Sequence, residues 1–264
     1  VVSLCHHHLS PLHTHTHTPS SDSALSRIIL NYLTIPSVIF LFFIHKSTQI
    51  FHMSIFEYNG SAIVAMTGKN CVAIAADTRY GIRNTTVGHD FRRIFQMHPK
   101  CFVGLSGLAS DVQTVHDKLK FRVNMYRLRE KRDIKPSSFA NLVSSVLYER
   151  RFGPWFTEPV IAGLEGPDNK PFVCAQDLIG AACYTDNFVV SGTSSEALYG
   201  MCESLWKPDM DSEELFECIS QSLLAAVDRD CLTGWGAVVY VVSPDEKAEG
   251  GVKVVKRRLK TRMD

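Results

Sequence analysis

The sequence lacks the signatures of several chemistries at once. None of its eight cysteines (5, 71, 101, 174, 183, 202, 218 and 231) forms a C-x-x-C pair, so a zinc ribbon and a dithiol redox motif are both without support. Most of them sit inside apolar runs such as "NCVAIAAD" and "KCFVGL", where free cysteine behaves as a small buried hydrophobe. That usage fits a reducing compartment better than a disulfide framework. Neither a glycine-rich phosphate loop nor metal-ligand spacing occurs, and no cofactor and no metal are expected. An excess of charge is missing too: 28 Lys and Arg face 27 Asp and Glu, for a formal net charge of +1. Nucleic acid or an acidic surface therefore has no electrostatic claim as a partner. Also missing is an uninterrupted apolar run of the ~20 residues a membrane span needs. The candidate, "IILNYLTIPSVIFLFFI" at 28–44, is shorter and contains Asn31, Thr34, Pro36 and Ser37. It precedes no convincing small-x-small cleavage site before Met53, so a signal peptide is not favoured either.

Charge is nearly absent from the first 52 residues, which hold only Asp22, Arg27 and Lys46 but eight of the eleven histidines. "HTHTHT" could be a metal-binding tract, yet alternating His and Thr is also what a CA dinucleotide repeat encodes. The composition shifts abruptly at Met53, the first methionine. Residues 1–52 are expected to be a non-native or disordered leader, such as translated upstream sequence, and 53–264 the working domain. A membrane anchor remains the alternative and depends wholly on 28–44.

From Met53 onward the sequence is of ordinary globular character. The whole chain is 45% hydrophobic and 21% charged, within the range for one or two soluble domains. "GSAIVAMTGKNCVAIAADTRYG" (60–81) reads as two strands folded about Gly68-Lys69-Asn70, and "KCFVGLSG" (100–107) as a third. Val112, Val115, Leu119, Val123 and Tyr126 then recur at helical spacing, as do Phe139, Leu142, Val143, Val146 and Leu147 after Pro136, which suits a first helical turn. Strands return at 159–165 and 170–178, joined by "GPDN", and at 187–192. Helices come next at 194–206 and 212–228, the second opened by a capping box of Asp211 and Glu214. Strands at 235–243 and 252–259 close the chain, the last a basic alternating edge. Strands, two helices, strands, two helices, strands is an α+β order, with helices covering the outer faces of two antiparallel sheets.

"CVAIAADTRYG", "FVGLSGLASDV", "FVVSGTSSEALYGMCESLW" and "LLAAVDRDCLTGWGAVVY" together resemble the proteasome β subunits of the N-terminal nucleophile hydrolase superfamily. The likeness runs from about Met53 to Asp264. It implies a four-layer αββα sandwich of two antiparallel sheets between helix layers. It also implies placement in a seven-membered β ring of the proteasome core particle, in cytoplasm and nucleus, against other β subunits, α-ring subunits and the opposite β ring. Polypeptide substrates in the chamber come with it; nucleic acid and membrane do not.

Some members of that family are proteases and others are structural. In the active ones, cleavage after a glycine exposes an amino-terminal threonine. Its hydroxyl attacks the peptide carbonyl, and its α-amino group, with a pKa of roughly 7.7–8.0, can act as the base. By family spacing Ser61 occupies the nucleophile position after Gly60, and Asp77 and Asp230 match the two active-site aspartates. Arg93 stands where active members have lysine, Thr193 and Thr233 where they have serines, so four of the six positions differ. A serine keeps the hydroxyl but loses the β-branch that stiffens χ1. Arginine is the graver change, because a guanidinium stays protonated and cannot shuttle a proton. Each added methyl crowds a packed site. The expectation is a non-catalytic subunit that supports assembly and protein degradation by its active neighbours, with no catalytic residue of its own. The alternative is an active Ser61 N-terminal nucleophile endopeptidase.

Gly107 fits the family's oxyanion-hole glycine and equally a plain strand-to-helix turn. For Asp77 and Asp230 the bland role is acceptance of backbone N–H bonds at strand ends and turns. His89, His98 and His116 are expected to be surface or packed residues. By position, the resemblance further implies a loop lent in trans to a neighbour's substrate pocket, from Asp177 through Leu178 and Ile179 to Cys183, although Leu178 and Ile179 could equally be core.

Overall fold

A computed structural model describes residues 54–262 apart from Glu246. The leader, the His tract and the apolar run at 28–44 lie outside the described residues. Among those described, no helix is long and apolar enough to cross a membrane.

The first hairpin forms where its composition places it. Strands β1 (Ala62–Gly68) and β2 (Cys71–Asp77) are buried at every position, and Asn70 takes the left-handed conformation in the turn (φ 53°) that asparagine tolerates. Strands buried on both faces do not alternate, which is why this segment reads as continuous apolar runs. Three short strands succeed it: β3 (Tyr80–Ile82), β4 (Thr85–Gly88) and β5 (Ile94–His98). After them come β6 (Cys101–Gly107), α1 (Ala109–Glu130), α2 (Pro136–Tyr148), β7 (Thr157–Glu165), β8 (Lys170–Gln176), β9 (Ala182–Thr185) and β10 (Phe188–Gly192). Helices α3 (Ser195–Leu205) and α4 (Ser212–Val227) lead to the closing strands β11 (Ala237–Pro244) and β12 (Val252–Leu259).

All pairings are antiparallel. One sheet runs β10-β1-β2-β11-β12 and the other β5-β6-β7-β8-β9, with β3-β4 as a separate ribbon. Three apolar clusters define four layers. Leu198, Leu215, Ile219 and Leu223 of α3 and α4 pack on Val64, Met66 and Val239 of the first sheet. Val115, Leu119, Phe139 and Val143 of α1 and α2 pack on Val103, Leu105 and Ile161 of the second. Between the sheets lie Ile63, Ile74, Phe102, Val160 and Leu164. Gly104 lets the sheets approach, since a Cβ there would sit 2.9 Å from the Ile63 side chain. The expected αββα sandwich is the observed one.

Local signals place the helices. Pro136 is at the first turn of α2, and Asp211 with Glu214 closes both halves of a capping box on α4. Four short strands, β3, β4, β5 and β9, go beyond what the sequence pattern predicts. Each spans three to five residues of mixed polar and apolar character, so neither a two-residue period nor an apolar run like that of β10 declares itself. The strand expected over 170–178 stops at Gln176, because the Asp177 carboxylate turns the chain instead, accepting from the Ile179 and Ala181 amides (3.0 and 2.7 Å).

Candidate functional site

Strand β1 begins one residue after Ser61, and its pairing with β10 brings Gly192 opposite Ala62. The next residue, Thr193, thereby meets Ser61: the Thr193 amide donates to the Ser61 carbonyl (2.8 Å), and the Ser61 amide donates to Thr193 Oγ1 (3.3 Å). Thr193 Oγ1 donates in turn to Asp230 Oδ2 at 2.7 Å. Ser194 donates to the same oxygen (2.8 Å), and Thr233 shares a 2.9 Å hydrogen bond with Ser194. The other Asp230 oxygen accepts the Leu232 amide (2.9 Å). The carboxylate therefore gathers two hydroxyl branches, Thr193, which also accepts the Ser61 N–H, and Ser194, which is bonded to Thr233.

The Ser61 hydroxyl is buried with the rest of the residue. Among the described residues its hydrogen bond is one it accepts, from the Gly107 amide at 3.4 Å, and no base takes its proton. Gly107 is required by geometry: φ is +106°, and a Cβ would overlap the Phe156 carbonyl oxygen at 2.2 Å. Its N–H, which could otherwise stabilise an oxyanion, is engaged by Ser61.

Behind Ser61 lies a buried charge cluster. Asp77 Oδ1 accepts the Ala62 amide (2.9 Å) and lies 3.4 Å from Arg93 Nη1. Burial pushes the Asp77 carboxyl up to about 6, against the opposing pull of Arg93 and of the backbone amides facing it. Burial also lowers the Arg93 pKa while Asp77 raises it; a guanidinium starting this high stays charged. Arg93 does not aim at the Ser61 hydroxyl. Its Nη2 donates to the carbonyls of Gly60 and Arg79 (both 2.7 Å), and its Nη1 to that of Asp77 (3.1 Å).

A second guanidinium, Arg79, is fully buried and donates to the Leu232 carbonyl (2.8 Å), the Arg83 carbonyl (3.0 Å) and Thr86 Oγ1 (2.9 Å). The chain ahead of Ser61 is bound into this arrangement. Asn59 donates to the Gly81 carbonyl (2.8 Å) and accepts the Ala109 amide (2.9 Å) at the start of α1. Gly60 takes φ +68° with the Leu232 carbonyl where a Cβ would stand. Upstream, Ser54 and Glu57 form a capping box on a short 3₁₀ turn, Ile55–Glu57.

The structure thus gathers all six expected positions, Ser61, Asp77, Arg93, Thr193, Asp230 and Thr233, with Gly107 beside them. Sequence reasoning missed Asn59, Arg79 and Ser194. Arg79 lies inside the "AADTRYG" stretch, but its partner carbonyl at Leu232 is 153 residues away, a pairing no local pattern carries. Asp177, Leu178 and Ile179 are half-buried in the β8–β9 turn, and Cys183 is exposed on β9. Ser144 Oγ of α2 donates to the Gly180 carbonyl (2.6 Å), so the turn is anchored from below. This turn shares no hydrogen bond with the Ser61 cluster among the described residues. His89 stacks on Trp235 and His116 on Phe95. His98 is buried and accepts the Lys100 amide at Nδ1. Cys71, Cys101, Cys174 and Cys202 are buried, burial pushing the Cys71 and Cys174 thiols up to about 11, whereas Cys183 and Cys231 are exposed. Among the described residues, no group of three or more His, Cys, Asp or Glu could hold a metal ion.

The sequence model of the family described as "Proteasome subunit" matches residues 57–242. "Proteasome subunit beta type-3" of Picea mariana is 59% identical over 212 residues, which are 80% of this chain and 100% of that protein. "Proteasome subunit beta type-3-B" of Arabidopsis thaliana is 61% identical over 212 residues, with the same coverage of both chains. "Proteasome subunit beta type-3" of Drosophila melanogaster is 52% identical over 212 residues, again 80% and 100%.

Proposed function

The chain belongs to the proteasome subunit family, and from that premise we propose that it is a non-catalytic structural β subunit of the core particle whose Ser61 is not released. One observation carries the reading: Arg93, where a proton-shuttling lysine would stand, spends its guanidinium on the carbonyls of Gly60, Asp77 and Arg79. A free α-amine and an acceptor for the hydroxyl proton are both required for this type of attack. Here the Ser61 hydroxyl accepts the Gly107 N–H, and among the described residues no side chain is bonded to it as an acceptor of its proton. The alternative, an active Ser61 endopeptidase, rests on the retained hydroxyl.

The outer surface supports a role in assembly. Helix α1 carries two apolar stripes: one is buried, and the other exposes Phe121, Met125 and Leu128 at i, i+4 and i+7. Phe152 and Tyr148, just beyond and at the end of α2, are also exposed. Large apolar side chains left exposed along one stripe of a helix are candidates for an interface. In this reading residues 53–264 form the working domain, in a seven-membered ring that contacts α-ring and opposite β-ring subunits in cytoplasm and nucleus. The subunit then supports degradation of polypeptides by active neighbours. The Asp177–Cys183 turn is its contribution in trans to a neighbour's pocket.

Amino-terminal sequencing and intact mass of the subunit in the purified particle, with an epoxyketone probe, test the catalytic half. The expected chain retains residues ahead of Ser61 and carries no adduct; a chain starting at Ser61 and trapped by the probe would be an active hydrolase.

A further inference from the structure

At the edge of the sandwich, where β11 and β12 of one sheet face the segment leading into β5 of the other, lies a half-open cavity of about 270 Å³. Its apolar lining is Phe91, Ile94, Val238 and Tyr240. Its charged lining is unbalanced: Arg92, Lys256 and Arg258 face the single exposed acid Asp90, for 3 − 1 = +2, while Arg93 and Asp77 at the back neutralise each other. Lys256 has no ion pair among the described residues and rests 5.5 Å from the centre of the Tyr240 ring. Arg92 donates Nε to the Ile94 carbonyl (3.0 Å), which leaves its terminal nitrogens for another acceptor. Arg258 pairs with Asp90 at 3.2 Å, but both side chains are mostly exposed, and such a pair exchanges readily.

Two features identify the occupant. The cavity is smaller than the roughly 300–1,000 Å³ of small-molecule sites, and suits one apolar side chain with a carboxylate beside it. It also adjoins β12, the end strand of its sheet, whose outer edge offers unpaired backbone groups. Lys253, Lys256 and Arg258 on that edge repel another basic strand and attract an acidic one. We propose that this pocket and the β12 edge form a docking site for an extended acidic segment of another polypeptide, one apolar side chain seated on Phe91 and Tyr240 and a carboxylate held by Lys256 and Arg92. Ser61 does not line this pocket, although Asp77 and Arg93 at its back also belong to the Ser61 cluster, and the proposal stands whether or not Ser61 is ever released.

Fluorescence anisotropy on the full chain tests it with two labelled peptides, Val-Glu-Phe-Glu-Val-Glu and Val-Lys-Phe-Lys-Val-Lys, and with 3-phenylpropionate as competitor. The acidic peptide is expected to bind and the basic one not to. Reversing the rim with Lys256→Glu and Arg258→Glu, both exposed and compatible with folding, should weaken binding about tenfold or more. Val238→Phe, which fills the floor and leaves the rim intact, should weaken it as well. Equal binding of the two peptides, or indifference to the rim reversal or to the filled floor, overturns the proposal. Binding of 3-phenylpropionate as tight as that of the peptide would assign the pocket to small carboxylates and overturn the polypeptide occupant.

Discussion

Arg93 Nη2 lies 2.7 Å from the carbonyl oxygen of Gly60, so the residue expected to disable the chemistry is also the one that fastens the chain ahead of Ser61. One planar fork reaches three carbonyls and a carboxylate. A compact ammonium cannot span them.

Arg93→Lys should therefore destabilise the full chain by ~2–3 kcal/mol, and Arg93→Ala by ~3–5 kcal/mol, the range for breaking a buried pair. Urea denaturation reads both. On the proposed reading, in which Ser61 is not released, neither variant should gain peptidase activity.

Asp77 gives the fold a pH signature. Its carboxyl is raised from 3.8 to about 6, so the folded state holds the proton more tightly than the unfolded state. The stability it contributes is fully present below the unfolded value and lost as pH rises through about 6. The unfolding free energy of the protein, measured against Asp77→Asn so that other groups cancel, should fall by ~2–3 kcal/mol between about pH 4 and about pH 7 and be flat above.

Gly60→Ala meets two obstacles, a left-handed φ of +68° and the Leu232 carbonyl at 2.2 Å from the new Cβ. A loss of ~3 kcal/mol or more is expected, visible as a lower thermal midpoint. A substitution at Gly153, which has open space around it, should cost little.

Phe121→Asp with Leu128→Glu alters only exposed positions of α1. The folding stability of the isolated chain should stay within ~0.5 kcal/mol. Incorporation into the particle, monitored by native electrophoresis against unmodified subunit, should drop by about tenfold or more. Undiminished incorporation would remove this stripe from the interface.

Asp177→Ala deletes both side-chain bonds that shape the β8–β9 turn, at about 1 kcal/mol each. If this turn reaches a neighbour's pocket, that variant and exchange of Leu178 and Ile179 should alter the trypsin-like cleavage profile of the particle. An unchanged profile retires the contribution in trans.

Much of this architecture is legible in the chain before folding. Helical periods, Pro136 at its first turn and the Asp211–Glu214 box are local, and the structure keeps them. The positions that match the family's motifs are legible through those ordered motifs, and Ser61, Asp77, Arg93, Thr193, Asp230 and Thr233 fall into one cluster. The short strands β3, β4, β5 and β9 are not legible, since each mixes polar and apolar residues over too few positions to show a period, whereas the equally short β10 is legible as an apolar run closed by glycine.

Residue order dictates the succession of strands and helices, and through the family resemblance it sets an arginine where active members have a lysine, because these depend on neighbours within a few residues or on the chemistry of one side chain. Three facts emerge solely from the folded arrangement: what that arginine grips, that Arg79 is buried against a carbonyl 153 residues away, and that the Ser61 hydroxyl faces a donor rather than a base. Hydrogen bonds across that distance depend on which chain segments the sheets bring together, and no periodicity records it.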